Sequence, residues 1–177
     1  MNIANRLTIL RIILVPVFIL VILYHRLNIA FVIFLVAAVS DGLDGYIART
    51  WNQKTRFGTV MDPLADKMLL GSAFLCFSLV SGLPAYIKMP IYVPLIIISR
   101  DVLILLGTVM IYLLTGTIDI KPTILGKITT FLQMVTIILV LLRFVYSNLV
   151  WNTTVVFTVV SGLDYLRLGS RQINGRL

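Results

Sequence analysis

Ser40-Asp41-Gly42-Leu43-Asp44-Gly45-Tyr46-Ile47-Ala48-Arg49 closes one long apolar run, and Gly58-Thr59-Val60-Met61-Asp62-Pro63-Leu64-Ala65-Asp66-Lys67 opens the next. Asp41 and Asp44 are spaced i, i+3; Asp62 and Asp66 are spaced i, i+4. On helices each pair shares one face. The short polar connection 50–57 makes the two helices antiparallel neighbours. Four carboxylates then sit near one end, where they can face each other across a cleft. An Asp in the middle of a membrane helix costs roughly 2.5–3.5 kcal/mol on insertion scales, and less near the interface. Four converging carboxylates also repel each other, so nothing in them helps the fold unless a cation neutralises them.

The rest of the chain says that the surroundings are a membrane. Of 177 residues, 59% are apolar and 12% charged. That charged share is about half the norm for a soluble domain. The mean hydropathy is +1.03. A soluble globular protein, a disordered chain and a coiled coil are disfavoured together. Unbroken apolar runs argue for helices and against an alternating β-barrel. A span needs about 20 mostly apolar residues. Six such runs are predicted, at roughly 7–24, 28–49, 60–82, 91–114, 124–142 and 149–168. The first is read as a retained helix, because it is long enough to span and more spans follow. The expectation is an all-α integral membrane protein with six transmembrane helices, and residues 1–177 as a single transmembrane catalytic domain.

The charge balance is 15 Lys+Arg against 7 acids, a net +8, and all seven acids are Asp. Nucleic-acid binding needs a solvated basic face, but these cations are scattered between apolar runs, so no nucleic acid is expected. With the N-terminus in the cytoplasm, eleven cations lie on or near that side: Arg6, Arg11, Arg49, Lys54, Arg56, Lys67, Lys121, Lys127, Arg167, Arg171 and Arg176. Arg26, Lys88 and Arg143 lie outside, and Arg100 is mid-helix. The positive-inside rule then puts both termini and the aspartates at the cytoplasmic face of a multi-pass membrane protein. Trp51 and Trp151 fall at predicted helix ends as aromatic anchors, His25 is read as an interface residue, and the basic tail 169–177 is expected against anionic headgroups. Cys76 is alone, so no intrachain disulfide forms.

Hard carboxylate oxygens select Mg²⁺, Mn²⁺ or Ca²⁺ over Zn²⁺. Bound Mg²⁺ keeps positions open for phosphate oxygens. Gly45 and Ala48 share the face of Asp41 and Asp44, so a bulky ligand can approach the backbone, and Arg49 can fork onto a phosphate. The pattern suggests metal-assisted transfer of a phosphate-linked group, with one carboxylate as general base. The bland reading pairs the acids with Arg49, Lys54, Arg56 and Lys67, and makes Asp62 an N-cap before Pro63 at N1. A divalent-cation transporter is a distant alternative. It predicts acids spread along a path across the membrane, whereas these four lie at one depth.

These residues resemble the CDP-alcohol phosphatidyltransferase family, whose signature is D-x2-D-G-x2-A-R-x8-G-x3-D-x3-D. Asp41, Asp44, Gly45, Ala48, Arg49, Gly58, Asp62 and Asp66 match it with the spacing intact. The resemblance implies a CDP-alcohol phosphatidyltransferase fold and a role in phospholipid synthesis. In the implied reaction an alcohol hydroxyl attacks the β-phosphorus of a CDP-linked lipid such as CDP-diacylglycerol, and CMP leaves. It implies that Asp41, Asp44, Asp62 and Asp66 hold one or two Mg²⁺ or Mn²⁺ ions. Asp66 is also the general base. Asp41, Asp44, Gly45, Ala48, Arg49 and Gly58 form the CDP-lipid site. It further implies a homodimer.

The acceptor is expected at Arg100, beside Asp101 in span four, and at Lys127 at the start of span five. The alternatives are a self-neutralised Arg100–Asp101 pair and a positive-inside anchor at Lys127. Asn2-Ile3, Thr8, Arg11 and the stretch 51–58 look like members that use glycerol 3-phosphate; they also resemble members that use phosphatidylglycerol and make cardiolipin. Residues 102–109 lack a further Arg, and Thr129 stands where a second Lys is common. Fewer cations fit a phosphodiester acceptor somewhat better. Glycerol 3-phosphate stays the first reading, and phosphatidylglycerol the alternative.

Overall fold

A computed structural model describes residues 3–50, 56–115 and 123–174. The side chains of Asp41, Asp44, Gly45, Ala48, Arg49, Gly58 and Asp62 lie outside the described residues, as do Trp51, Lys121 and Pro122. Six helices follow in order: α1 Ile3–Leu23, α2 Leu27–Thr50, α3 Arg56–Leu79, α4 Tyr92–Thr115, α5 Ile124–Leu141 and α6 Ser147–Asn174. They match the six predicted spans. At 1.5 Å per residue, helices of about 20 residues reach the 30 Å of a bilayer's hydrocarbon core. Tyr92–Met110, Ile124–Leu141 and Ser147–Ser170 are apolar enough to cross a membrane on hydropathy alone, and Thr8–Leu23 and Leu27–Ser40 are shorter apolar segments. Aliphatic side chains such as Leu20, Val32, Leu105, Leu113 and Leu163 are exposed around the bundle. In water such a surface would aggregate, so its solvent is lipid.

The helices alternate in direction, and three turns meet at one end. There His25 Nε2 lies 3.1 Å from the Ser81 carbonyl, Ser147 Oγ donates to the Tyr86 carbonyl at 3.0 Å, and Tyr92 Oη donates to Asn152 Oδ1 at 2.6 Å. The apolar core fills this half. Phe18 of α1 and Phe34 of α2 meet at 6.1 Å between ring centroids, and Phe74, Phe77, Ile87 and Ile137 complete it with no exposure. Trp151 is 5% exposed inside this core, so it packs the bundle and is not the interfacial anchor expected of it. Its place one turn into α6 aims the indole between helices.

The other half of the bundle is polar inside. Thr8, Arg11, Arg100, Thr129, Gln133, Thr158 and Ser161 are buried there. The threonines return their hydroxyls to carbonyls one turn back, as Thr129 does to Leu125 at 2.8 Å and Thr158 to Thr154 at 2.7 Å. That satisfies them without water. Arg11 is among the largest fully buried side chains, on the helix that packs against both α2 and α3.

Candidate active site

The aspartate motif lies where the sequence placed it, at the C-terminal end of α2 and the N-terminal end of α3. Both helices run unbroken through their Asp pairs, so the i, i+3 and i, i+4 spacings hold. α3 starts at Arg56, which puts Asp62 and Pro63 well inside it. The N-cap explanation of Asp62 therefore fails. Among the described residues α2 and α3 make few contacts with each other, whereas α1 packs against both.

Asp66 is half-buried, and the next residue ties α3 to α4. Lys67 Nζ lies 3.0 Å from Asp101 Oδ1 and 2.9 Å from Oδ2. Asp101 Oδ1 also accepts from Arg100 Nη1 at 2.8 Å. The second Arg100 nitrogen, Nη2, donates to Ser161 Oγ on α6 at 2.6 Å. The guanidinium lies over the Tyr165 ring, 5.5 Å from its centroid, a cation–π contact. Gly126 leaves room for this stack. A Cβ there would stand 3.2 Å from Arg100 Nη2, 3.2 Å from Thr123 Oγ1 and 3.2 Å from Tyr165 Cε2.

Arg100 is thus fixed by three helices, and its pairing with Asp101 is the self-neutralised contact that the sequence left open. The pair is not the whole cluster, however. Lys67 adds a second cation against the Asp101 carboxylate, so these three described residues, Lys67, Arg100 and Asp101, together carry +1. Arg100 Nε is buried with no hydrogen-bond partner among the described residues. Lys67 was missed as part of this site, because it stands 34 residues from Asp101 and read as a topology charge. The one available signal was that a mid-membrane Asp needs more than a neighbouring Arg that is itself buried. Lys127 is not gathered into the cluster. Gly126 abuts Arg100, but the Lys127 side chain is exposed. Thr123 caps α5 by accepting from the Gly126 amide at 3.0 Å, which fixes this junction.

A helical bundle with an aspartate-bearing pair of helices, one more basic than acidic cluster beside it, and a lipid-facing surface fits one family. Its profile, CDP-alcohol phosphatidyltransferase, matches residues 1–160. The chain belongs to the CDP-alcohol phosphatidyltransferase family. It is an integral membrane enzyme of phospholipid synthesis, and its family joins a CDP-linked alcohol to an acceptor alcohol. Family members generally depend on a divalent metal. Several curated relatives cover nearly the whole chain. A probable phosphatidylglycerophosphate synthase of Mycobacterium tuberculosis is 34% identical over 98% of this chain and 84% of its own length. A CDP-diacylglycerol–glycerol-3-phosphate 3-phosphatidyltransferase of Bacillus subtilis is 31% identical over 93% of each. A CMP-forming cardiolipin synthase of Rattus norvegicus is 30% identical over 97% of this chain and 63% of its own length.

Proposed function

We propose that this enzyme transfers the phosphatidyl group of CDP-diacylglycerol to glycerol 3-phosphate, giving phosphatidylglycerophosphate and CMP. The observation that carries this is the similarity, over nearly all of the chain, to relatives named for that reaction. The Lys67–Arg100–Asp101 cluster supports it. The fewer cations at 102–109 and 129 fit a phosphodiester acceptor somewhat better, but Lys67 supplies another cation, next to Asp66.

Asp41, Asp44, Asp62 and Asp66 would hold one or two Mg²⁺ or Mn²⁺ ions. The donor set fits, being all hard carboxylate oxygen on two helices that keep the motif spacing. Such an ion, when bound, offsets the charge of the diphosphate. Gly45, Ala48 and Gly58 leave space for the CDP moiety, and Arg49 binds its phosphates. Asp66 takes the proton from the glycerol 3-phosphate hydroxyl. The oxygen attacks the β-phosphorus, the bond from that phosphorus to the bridging oxygen breaks, and CMP leaves with that oxygen. The surplus positive charge at Lys67 and Arg100 orients the acceptor phosphate, with Lys127 at its entrance. Residues 1–177 act as one transmembrane catalytic domain with the site facing the cytoplasm, the side that the basic residues favour. The enzyme works as a homodimer.

A second reading is transfer to phosphatidylglycerol, forming cardiolipin; the similarity to the rat enzyme favours it. The test is CMP release by purified protein with Mg²⁺ and CDP-diacylglycerol. Release depends on an added acceptor, and Asp66→Asn abolishes it while the thermal transition is preserved. Full activity in Asp66→Asn, or acceptor-independent release, would sink the proposed mechanism.

A further inference from the structure

At the end of the bundle opposite the aspartate motif is a cavity of about 290 Å³, lined by His25, Arg26, Leu27, Asn28, Ile29 and Arg143. It lies about 20 Å from Asp41 along α2, at 1.5 Å per residue. We infer that it is a binding site for the phosphate of an anionic phospholipid headgroup in the far leaflet, a site separate from the catalytic one.

The first argument is charge. The turns at this end, 24–26, 80–91 and 142–146, contain Arg26, Lys88 and Arg143 and no acid. Lys88 Nζ is engaged by the Val80 carbonyl at 2.9 Å. The other two cations converge on one cavity from two different turns. Among the described residues, neither guanidinium has a hydrogen bond or an ion pair. Both are exposed, so an anion can reach them from outside the chain, and phosphate matches the guanidinium fork. The N-terminus of α2 lines the same cavity and adds its positive dipole end.

The second argument is position. Tyr24, Phe144 and Tyr146 are exposed around this end, and exposed aromatics mark the headgroup level of a membrane. The occupant is therefore a lipid headgroup rather than a soluble anion. The volume suits one, being at the lower end of small-ligand cavities.

The third argument is the backbone. α1 and α5 both end in the turn usually closed by glycine, with the Arg26 amide donating to Val21 O and the Phe144 amide to Leu139 O, each at 3.0 Å. The left-handed residues there are His25, φ 59°, and Arg143, φ 62°. Both line the cavity. Side chains are kept where glycine would fit more easily, which is strain of the kind found at ligand sites.

The test is native mass spectrometry of the purified full-length protein offered equimolar phosphatidylglycerol and phosphatidylcholine. Wild type retains phosphatidylglycerol selectively. Arg26→Gln/Arg143→Gln weakens that retention roughly tenfold or more, the scale of a lost charge-assisted hydrogen bond. Lys88→Gln, which removes a cation of the same end outside the cavity, retains it like wild type. CMP release by the double variant stays within about twofold of wild type, because the sites are distant; the proposal therefore stands or falls apart from the catalytic reading. Inorganic phosphate at matched concentration does not displace the lipid. Equal retention of the two lipids by wild type overturns the proposal without any variant. So does wild-type retention by the double variant, and displacement by phosphate would identify a soluble anion instead.

Discussion

Asp101 is the residue on which the Lys67–Arg100 cluster turns, and a double-mutant cycle across it measures what the cluster does. Two unit charges about 4 Å apart attract by roughly 4 kcal/mol at an effective dielectric constant near 20. Lys67 is 34% exposed and Asp101 17%, so solvent screening and desolvation offset much of this. A coupling of about 1–2 kcal/mol is expected between them, within the range for contacting charges. Asp101→Asn leaves Lys67 and a buried Arg100 without their carboxylate and costs about 3 kcal/mol of stability. Lys67→Gln leaves a neutral Arg100–Asp101 pair and costs about 1 kcal/mol. The double variant loses less than the sum. Denaturant unfolding in detergent reads the four stabilities, and initial rates of CMP release read the substrates. Lys67→Gln also removes the surplus charge, so KM for glycerol 3-phosphate rises about tenfold, worth about 1.4 kcal/mol, while KM for CDP-diacylglycerol is unchanged. Stabilities additive to within about 0.5 kcal/mol, or equal rises in both KM values, would refute the reasoning.

Three further outcomes follow from the same geometry. Gly126→Ala places a Cβ 3.2 Å from Arg100 Nη2 and from Tyr165, so it moves the guanidinium. It should raise KM for glycerol 3-phosphate several-fold, by about 1 kcal/mol, with the CDP-diacylglycerol KM unaltered; steady-state kinetics with each substrate varied checks this. Gly82→Ala meets His25 Nε2 at 2.9 Å and must hold φ +78°. It should cost at least about 1–2 kcal/mol in a chemical melt, with kcat little changed. Chelation by EDTA should abolish activity, and Mg²⁺ or Mn²⁺, but not Zn²⁺, should restore it in a CMP-release assay.

The helices were legible because apolar runs and their breakers fix where a bilayer-spanning helix begins and ends. The differences lie where hydropathy stops but helix propensity does not. α3 begins at Arg56, ahead of its apolar run, and α6 continues to Asn174 through a polar stretch with no proline to stop it. The aspartate motif was legible because its spacing is local. Lys67, Ser161 and Tyr165 were not, because the meeting of Lys67 with Asp101 and of Ser161 and Tyr165 with Arg100 depends on how α3, α4 and α6 pack, and no periodicity in one helix reports that. Arg11 and Trp151 show the same gap from the other side. Both types are common at membrane surfaces, and both are buried here because they point between helices.

The most direct test of the central claim follows labelled glycerol 3-phosphate into lipid. The enzyme in micelles with Mg²⁺ and CDP-diacylglycerol should move the label into the organic phase as phosphatidylglycerophosphate, one label for each CMP released. If the label stays in the aqueous phase while phosphatidylglycerol is converted to cardiolipin with CMP release, the acceptor assignment is wrong.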